Sequence, residues 1–474
     1  MKTTHTGTVL SARFNRNVLW SLAGMVLPIP LAVLCIQPLL HGLGDAKFGV
    51  LVLVWMAVSF VAEIGFGRAS ARFSADALAR GAAMEVREVL SLAVRSQVAL
   101  GSGFAIGLTA VALFVPQWLG IGRTPDAETT RTFLLVALSL PIVATASAFR
   151  GVLEAQQQFR EISIILLFAS VLAYAGPVVA LALGEGLIGA SACIIAGRIA
   201  ATVALAVLAL RGMSSMRDHD TQARSPMLQR FVGQGRRGDR EGYAQKAVLL
   251  RFAGWSSVSS IVSPALLYID RAMLAALGGV AALSWYAPGH EVISRALLIP
   301  LAFTNVLFPR LSALPLTSDP ANAAPLVGRT VRQILLFFAP LVLVLFVAAP
   351  VLLGWWLGAD YAARSSGIVR ILLIGAVINA AASVPFTALQ AAGRADIPAK
   401  LHAAELVIQV VLSAVLVSAF GATGAALAWT VRITIDGVAL FIAAQRLSLV
   451  DRSLFGWSAE PHAAGLAPAP ERAR

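Results

Sequence analysis

Long apolar runs separated by short polar breaks dominate this chain. A bilayer-spanning helix needs roughly 20 apolar residues at about 1.5 Å of rise each. Twelve segments qualify, at about 18–40, 48–66, 92–115, 132–149, 162–183, 187–210, 250–277, 281–308, 331–353, 368–390, 401–420 and 424–446. The pattern predicts an all-α polytopic membrane protein of about twelve transmembrane helices. The first run follows a 17-residue polar start carrying Lys2, Arg13 and Arg16. It is too long for a signal-peptide core and is interrupted by prolines 28, 30 and 38. Leu34, before Cys35, is also not the small residue that lipoprotein processing needs, so a retained first helix is expected.

Composition agrees with the pattern. Of 474 residues, 58% are hydrophobic and 13% charged, against roughly 25% charged in an ordinary soluble domain, which excludes a soluble protein. The net charge of +13 would in a soluble chain invite a nucleic-acid reading, so the location of the charges matters. The N-terminus, the even-numbered loops and the C-terminus hold 27 of the 37 Lys and Arg, whereas the odd-numbered loops hold Lys47, Arg123, Arg131 and Arg364. Positive residues stay on the cytoplasmic side of a membrane. Both termini are therefore expected in the cytoplasm, and no nucleic-acid partner is. Cys35 and Cys193 both lie in apolar runs with no metal-ligand or disulfide spacing, and no metal or other cofactor is expected.

The chain also repeats itself. Trp20 with Pro28 matches Trp255 with Pro264, Leu43-Gly44 matches Leu277-Gly278, Arg72-Phe-Ser-Ala75 matches Arg310-Leu-Ser-Ala313, and Leu153-Glu-Ala155 matches Leu389-Gln-Ala391, at offsets of 234 to 238. Each match is weak alone, but a near-constant offset at equivalent positions marks two halves. Six helices per half is an even number, so the halves run parallel and are related by an axis along the membrane normal. The expected organisation is a cytoplasmic N-terminus (1–17), an N-lobe (18–210), a basic cytoplasmic linker (211–249), a C-lobe (250–446) and a cytoplasmic tail (447–474). Transporters built this way bind cargo between the halves and rock one against the other.

Several local strings resemble a known family. Leu43-Gly44 with Phe48-Gly49, Glu63-Ile-Gly-Phe-Gly-Arg68, Gly151-Val-Leu-Glu-Ala-Gln-Gln-Gln-Phe-Arg160 and Leu389-Gln-Ala-Ala-Gly-Arg394 are similar to segments of the Wzx-type oligosaccharide flippases. These share the multidrug/oligosaccharidyl-lipid/polysaccharide (MOP) exporter superfamily with the MATE exporters. The acid of the second string is often Asp in that family and is Glu63 here. The resemblance implies a V-shaped, MATE-like pair of lobes in the bacterial inner membrane. It implies a lipopolysaccharide, O-antigen or exopolysaccharide transporter that flips polyprenyl-diphosphate-linked oligosaccharide to the periplasmic leaflet, together with polymerase or export partners. It transfers no catalytic signature.

Site candidates rest on the cost of a mid-membrane charge, about 2.5 to 3.5 kcal/mol on insertion scales. Arg198 lies about 11 residues into the sixth segment with no acid within four residues, and a guanidinium suits a diphosphate. Arg271, Arg295 and Arg432 are further cavity candidates. His290, Glu291, Asp270 and Asp436 are candidates for coupling or gating. Glu291 with Arg295, and Arg432 with Asp436, are four apart, so intrahelical ion pairs compete with the functional reading. With Glu63 counted, these embedded charges cancel. Many prolines fall within the segments, among them 141, 177, 264, 288, 300, 340, 350 and 385, where kinks can serve as hinges or merely reflect membrane-helix composition.

Two other functions compete. A cation-coupled exporter of the MATE type would need a buried acid for a cationic drug, whereas the isolated mid-membrane charge here is Arg198. A membrane polymerase, ligase or glycosyltransferase would need a catalytic outer loop, but the longest, 116–131, has only Asp126 and Glu128 as acids. No Walker loop is present.

Overall fold

The computed structural model describes residues 27–63, 67–79, 83–114, 127–217, 265–266, 268–312, 314, 323–394 and 396–451. Among these the structure is helical throughout: α1 (Pro28–Glu63), α2 (Gly67–Ala79), α3 (Ala83–Phe114), α4 (Ala127–Ala144), α5 (Ala146–Ala155), α6 (Phe159–Ala182) and α7 (Gly186–Arg217). The second half has α8 (268–278), then α9 (Val280–Ala296), α10 (Leu298–Ser312), α11 (Ala324–Leu357), α12 (Ala359–Ala391) and α13 (Asp396–Arg446). Nine of the helical units are long and apolar enough to cross a membrane. Two of these, α1 and α13, each contain two predicted segments joined at a non-helical glycine, Gly44 and Gly421. The remaining predicted segment, about 250–277, lies largely outside the described residues, as do the N-terminus, most of the 211–249 linker and the tail beyond 451. The sixth segment runs further than expected, to Arg217.

The repeat seen in the sequence recurs in the backbone. Gly44 (φ 73°, ψ 166°) and Gly279 (φ 84°, ψ 156°) break the chain at the same point of each half, between the first and second helices. Gly186 (φ 61°) and Gly421 (φ 56°) do the same before the sixth and twelfth. These left-handed angles are ones that a Cβ disfavours. At the opposite end, Gln158 N–H bonds Leu153 C=O at 3.0 Å and Arg394 N–H bonds Leu389 C=O at 2.9 Å. These are equivalent helix-ending turns of the kind that satisfies orphan carbonyls.

Turns such as Gln156–Gln158 and Ala392–Arg394 lie at the basic end, and the glycine turns define the other. The outer faces are apolar: Leu138 is 77%, Val351 74% and Trp355 85% exposed, as an element bathed in lipid requires. Helix α1 packs on α9 across the two halves. A Cβ at Gly49 would collide with the Val280 carbonyl, so these two backbones touch. Near that contact, Ser284 Oγ and Trp285 Nε1 donate to Asp45 at 3.2 and 3.1 Å, and Trp356 Nε1 donates to Val33 C=O at 2.8 Å. The halves are thus sealed together at the glycine-turn end.

Candidate functional site: charges between and within the lobes

Toward the basic end the facing surfaces of the two halves carry charge. Arg198 on α7 donates to Ser59 Oγ on α1 at 3.0 Å. Among the described residues it makes no ion pair with a carboxylate. Ser59 holds one of its five N–H donors. Four residues along α1, Glu63 is solvent-exposed, yet Arg198, Arg150 and Arg295 are its charged neighbours, and Tyr268 of the C-lobe lies beside it. A carboxylate open to solvent but surrounded by groups of both lobes faces the space between them. Arg295 lies beside Tyr174 of the N-lobe, and Phe60 meets Tyr268 edge-on with ring centroids 5.9 Å apart.

Behind this surface, five of the sequence-predicted residues form one network on α8 and α9. Arg295 reaches Glu291 at 2.7 Å from Nη2 and 3.1 Å from Nε, the four-residue pairing anticipated from the spacing. Arg271 lies 4.0 Å from the same carboxylate and donates to His290 Nδ1 at 2.5 Å. A guanidinium can only donate, so Nδ1 carries the lone pair and the ring proton sits on Nε2, which faces Asp270 Oδ2 at 3.6 Å. Tyr286 also donates to that Asp270 oxygen. His290 is 3% and Asp270 1% exposed. His290 is therefore held as a neutral imidazole, and protonating it would cost the Arg271 bond.

The last two candidates sit elsewhere. Arg432 does not pair with Asp436 four residues on. It donates from Nη1 to Glu405 at 2.7 Å, with both side chains buried. Helix α13 folds back at Gly421 and brings its two arms together. Glu405 was not among the residues singled out from the sequence, because an acid five residues into a segment reads as an interfacial end. The signal that would have found it is spacing: His402, Glu405, Gln409 and Ser413 recur at three and four residues, one face of a helix, and the last three are buried. Ser59, Tyr174 and Tyr268 are equally unremarkable in sequence.

No family model matches the chain. A curated relative, the "Putative O-antigen transporter" of Shigella flexneri, is 26% identical over 425 residues, covering 90% of this chain and 96% of that protein. Among solved structures, an inward-facing multidrug resistance MATE family transporter of the MOP superfamily aligns with a TM-score of 0.62 at 14% identity, covering 94% of this chain and 96% of the other. This chain has the MOP transporter fold. The lipid II flippase MurJ, in an inward closed conformation, aligns equally well, at TM-score 0.62 and 14% identity over 91% of this chain and 90% of its own. An outward-facing MATE structure aligns at 0.56 and 15% identity over 92% and 95%. The MATE-like pair of lobes expected from the sequence is thus the architecture found.

Proposed function

We propose that this protein flips a polyprenyl-diphosphate-linked oligosaccharide from the cytoplasmic to the periplasmic leaflet of a bacterial inner membrane, for O-antigen or exopolysaccharide assembly. One observation carries this reading: Arg198, deep in an apolar helix, is held by a hydroxyl rather than a carboxylate, which leaves its charge and most of its donors available to an anionic headgroup. Arg295 and Arg271 line the same side of the C-lobe, each already shared with Glu291, and they exchange partners as cargo enters. Arg432 lies away from this surface. The relationship to an O-antigen transporter over nearly the whole chain supports the oligosaccharide cargo, and the fold shared with a lipid II flippase supports a lipid carrier.

The excess of Lys and Arg in the even-numbered loops, the 211–249 linker and the termini supports a cytoplasmic location for them and for the basic end. The glycine-turn seal then closes the periplasmic side, so the conformation is one that receives cargo from the cytoplasm. Polymerase or export proteins would take the product on the far side.

The test is lipid analysis of cells lacking the protein. Cytoplasm-facing lipid-linked oligosaccharide should accumulate while surface polysaccharide disappears, and Arg198→Ala should reproduce this at normal membrane level. Periplasm-facing intermediates would point to a polymerase or ligase instead. Glu63 on the interlobe surface, together with the MATE fold, favours a second reading, cation-coupled drug export. Altered drug sensitivity with no lipid intermediate would select it.

A further inference from the structure

Glu405, Asp436 and His402 form a cluster away from the lobe interface, between the two arms of α13. One carboxyl oxygen of each acid and a ring nitrogen of His402 lie within 4.8 Å of one another, so the two buried carboxyl groups face each other at close range. Both are acceptors when ionised, so two ionised carboxylates this close would only repel, and a proton on one turns the contact into a donor facing an acceptor. Glu405 Oε1 and Asp436 Oδ1 are buried with no hydrogen-bond partner, and so is Gln409 Oε1 one turn further in. These residues are 3%, 8% and 1% exposed. Arg432, bound to Glu405 Oε2 at 2.7 Å, supplies one positive charge against two acids. The buried group is left one charge short of neutral, and a single proton closes that gap.

The surroundings favour a proton over a metal ion. A cation would have to enter beside the Arg432 guanidinium. The facing groups can be enumerated element by element. Helix α9 presents Tyr286 and His290, which feel the Arg432 charge. Helix α12 has no charged residue between Arg370 and its end at Ala391 and stacks Phe386 on His402 with centroids 5.6 Å apart. At the start of α13, Asp396 and Lys400 bond each other at 3.5 Å and are exposed. His402, half-buried one turn before Glu405, stands between that solvent-exposed end and the buried acids.

We propose that Glu405 and Asp436 share one exchangeable proton, loaded from the basic end through His402, so that the C-lobe holds a proton-binding site of its own. The inference rests on C-lobe geometry and does not depend on the cargo proposed above.

The experiment is infrared difference spectroscopy of the purified full-length protein in lipid nanodiscs, without cargo. The expected result is a protonated carboxyl band at neutral pH equivalent to one group per polypeptide. It should be lost in Asp436→Asn, whose amide has the shape of the protonated acid and can donate to Glu405, and also in Glu405→Gln. His402→Ala should slow deuterium exchange of the band several-fold. The proposal is overturned if the band is absent from the native protein, if it persists unchanged in Asp436→Asn, or if sodium in place of choline abolishes it. Should Glu405→Gln fail to fold, Asp436→Asn alone decides. An exchange rate unaltered by His402→Ala would overturn the route.

Discussion

Arg198 and Arg432 occupy nearly the same place in the two halves. The first lies twelve residues past the left-handed Gly186, the second eleven past the left-handed Gly421. Their surroundings differ completely: a hydroxyl and a half-open interlobe surface for Arg198, a buried carboxylate within the lobe for Arg432. One residue of offset on a helix is a rotation of about 100°, enough to turn a guanidinium from one face to another. A repeated scaffold therefore does not repeat its chemistry. The same residue type, at the same cost of insertion, is committed in one half to holding two helix arms together and left available in the other.

The largest effect that would break this contrast is Arg432→Ala. It leaves Glu405 buried and without its counter-charge, a loss of about 3–5 kcal/mol for a broken buried pair, read as a large fall in melting temperature of the purified protein. Arg198→Ala should leave melting nearly unchanged and abolish flipping, since a charge-assisted hydrogen bond to cargo is worth about 1.5–3 kcal/mol. Complementation of surface polysaccharide in a deletion strain reads this, and Arg198→Lys should rescue in part. The double variant Arg198→Ala/Ile199→Arg restores the charge but rotates it by about 100°. It should remain inactive, and normal activity there would mean that direction is immaterial.

Ser59→Ala removes the hydroxyl that aims Arg198. A single hydrogen bond of about 0.5–1.5 kcal/mol predicts a transport loss of a few fold. Smallest is the Glu291 and Arg295 exchange. Either single charge reversal should lower stability measurably, and the swapped pair should recover only part of it, because it restores an i,i+4 pair worth roughly 0.2–0.5 kcal/mol but sets a positive charge at position 291 against Arg271. Loss of transport in the swapped pair out of proportion to its stability would give Arg295 a direct part in binding cargo.

Much of the fold was legible because membrane physics writes it in one dimension. The apolar runs, the charge asymmetry and the constant offset each reflect a local rule, and the described membrane-length helices fall on the predicted segments, whereas the short α2 lies between two of them. Fusion of two segment pairs into α1 and α13 shows how short the glycine turns are, which hydropathy alone does not reveal. At the candidate sites, the spacing rule held for Glu291 with Arg295 and failed for Arg432 with Asp436, because the fold-back at Gly421 offered Arg432 a closer acid from 27 residues away.

The sequence by itself determined that this chain lives in a membrane, how its helices are spaced, that it consists of two like halves, and which charges must find partners there. These follow from burial cost and helix length, quantities a residue carries with it. Only the tertiary structure decided which partners they find: Ser59 for Arg198, Glu405 for Arg432, and His290 and Glu291 for Arg271. An ion pair or hydrogen bond depends on distance and direction in three dimensions, and helices that meet across the lobes or fold back on themselves set both.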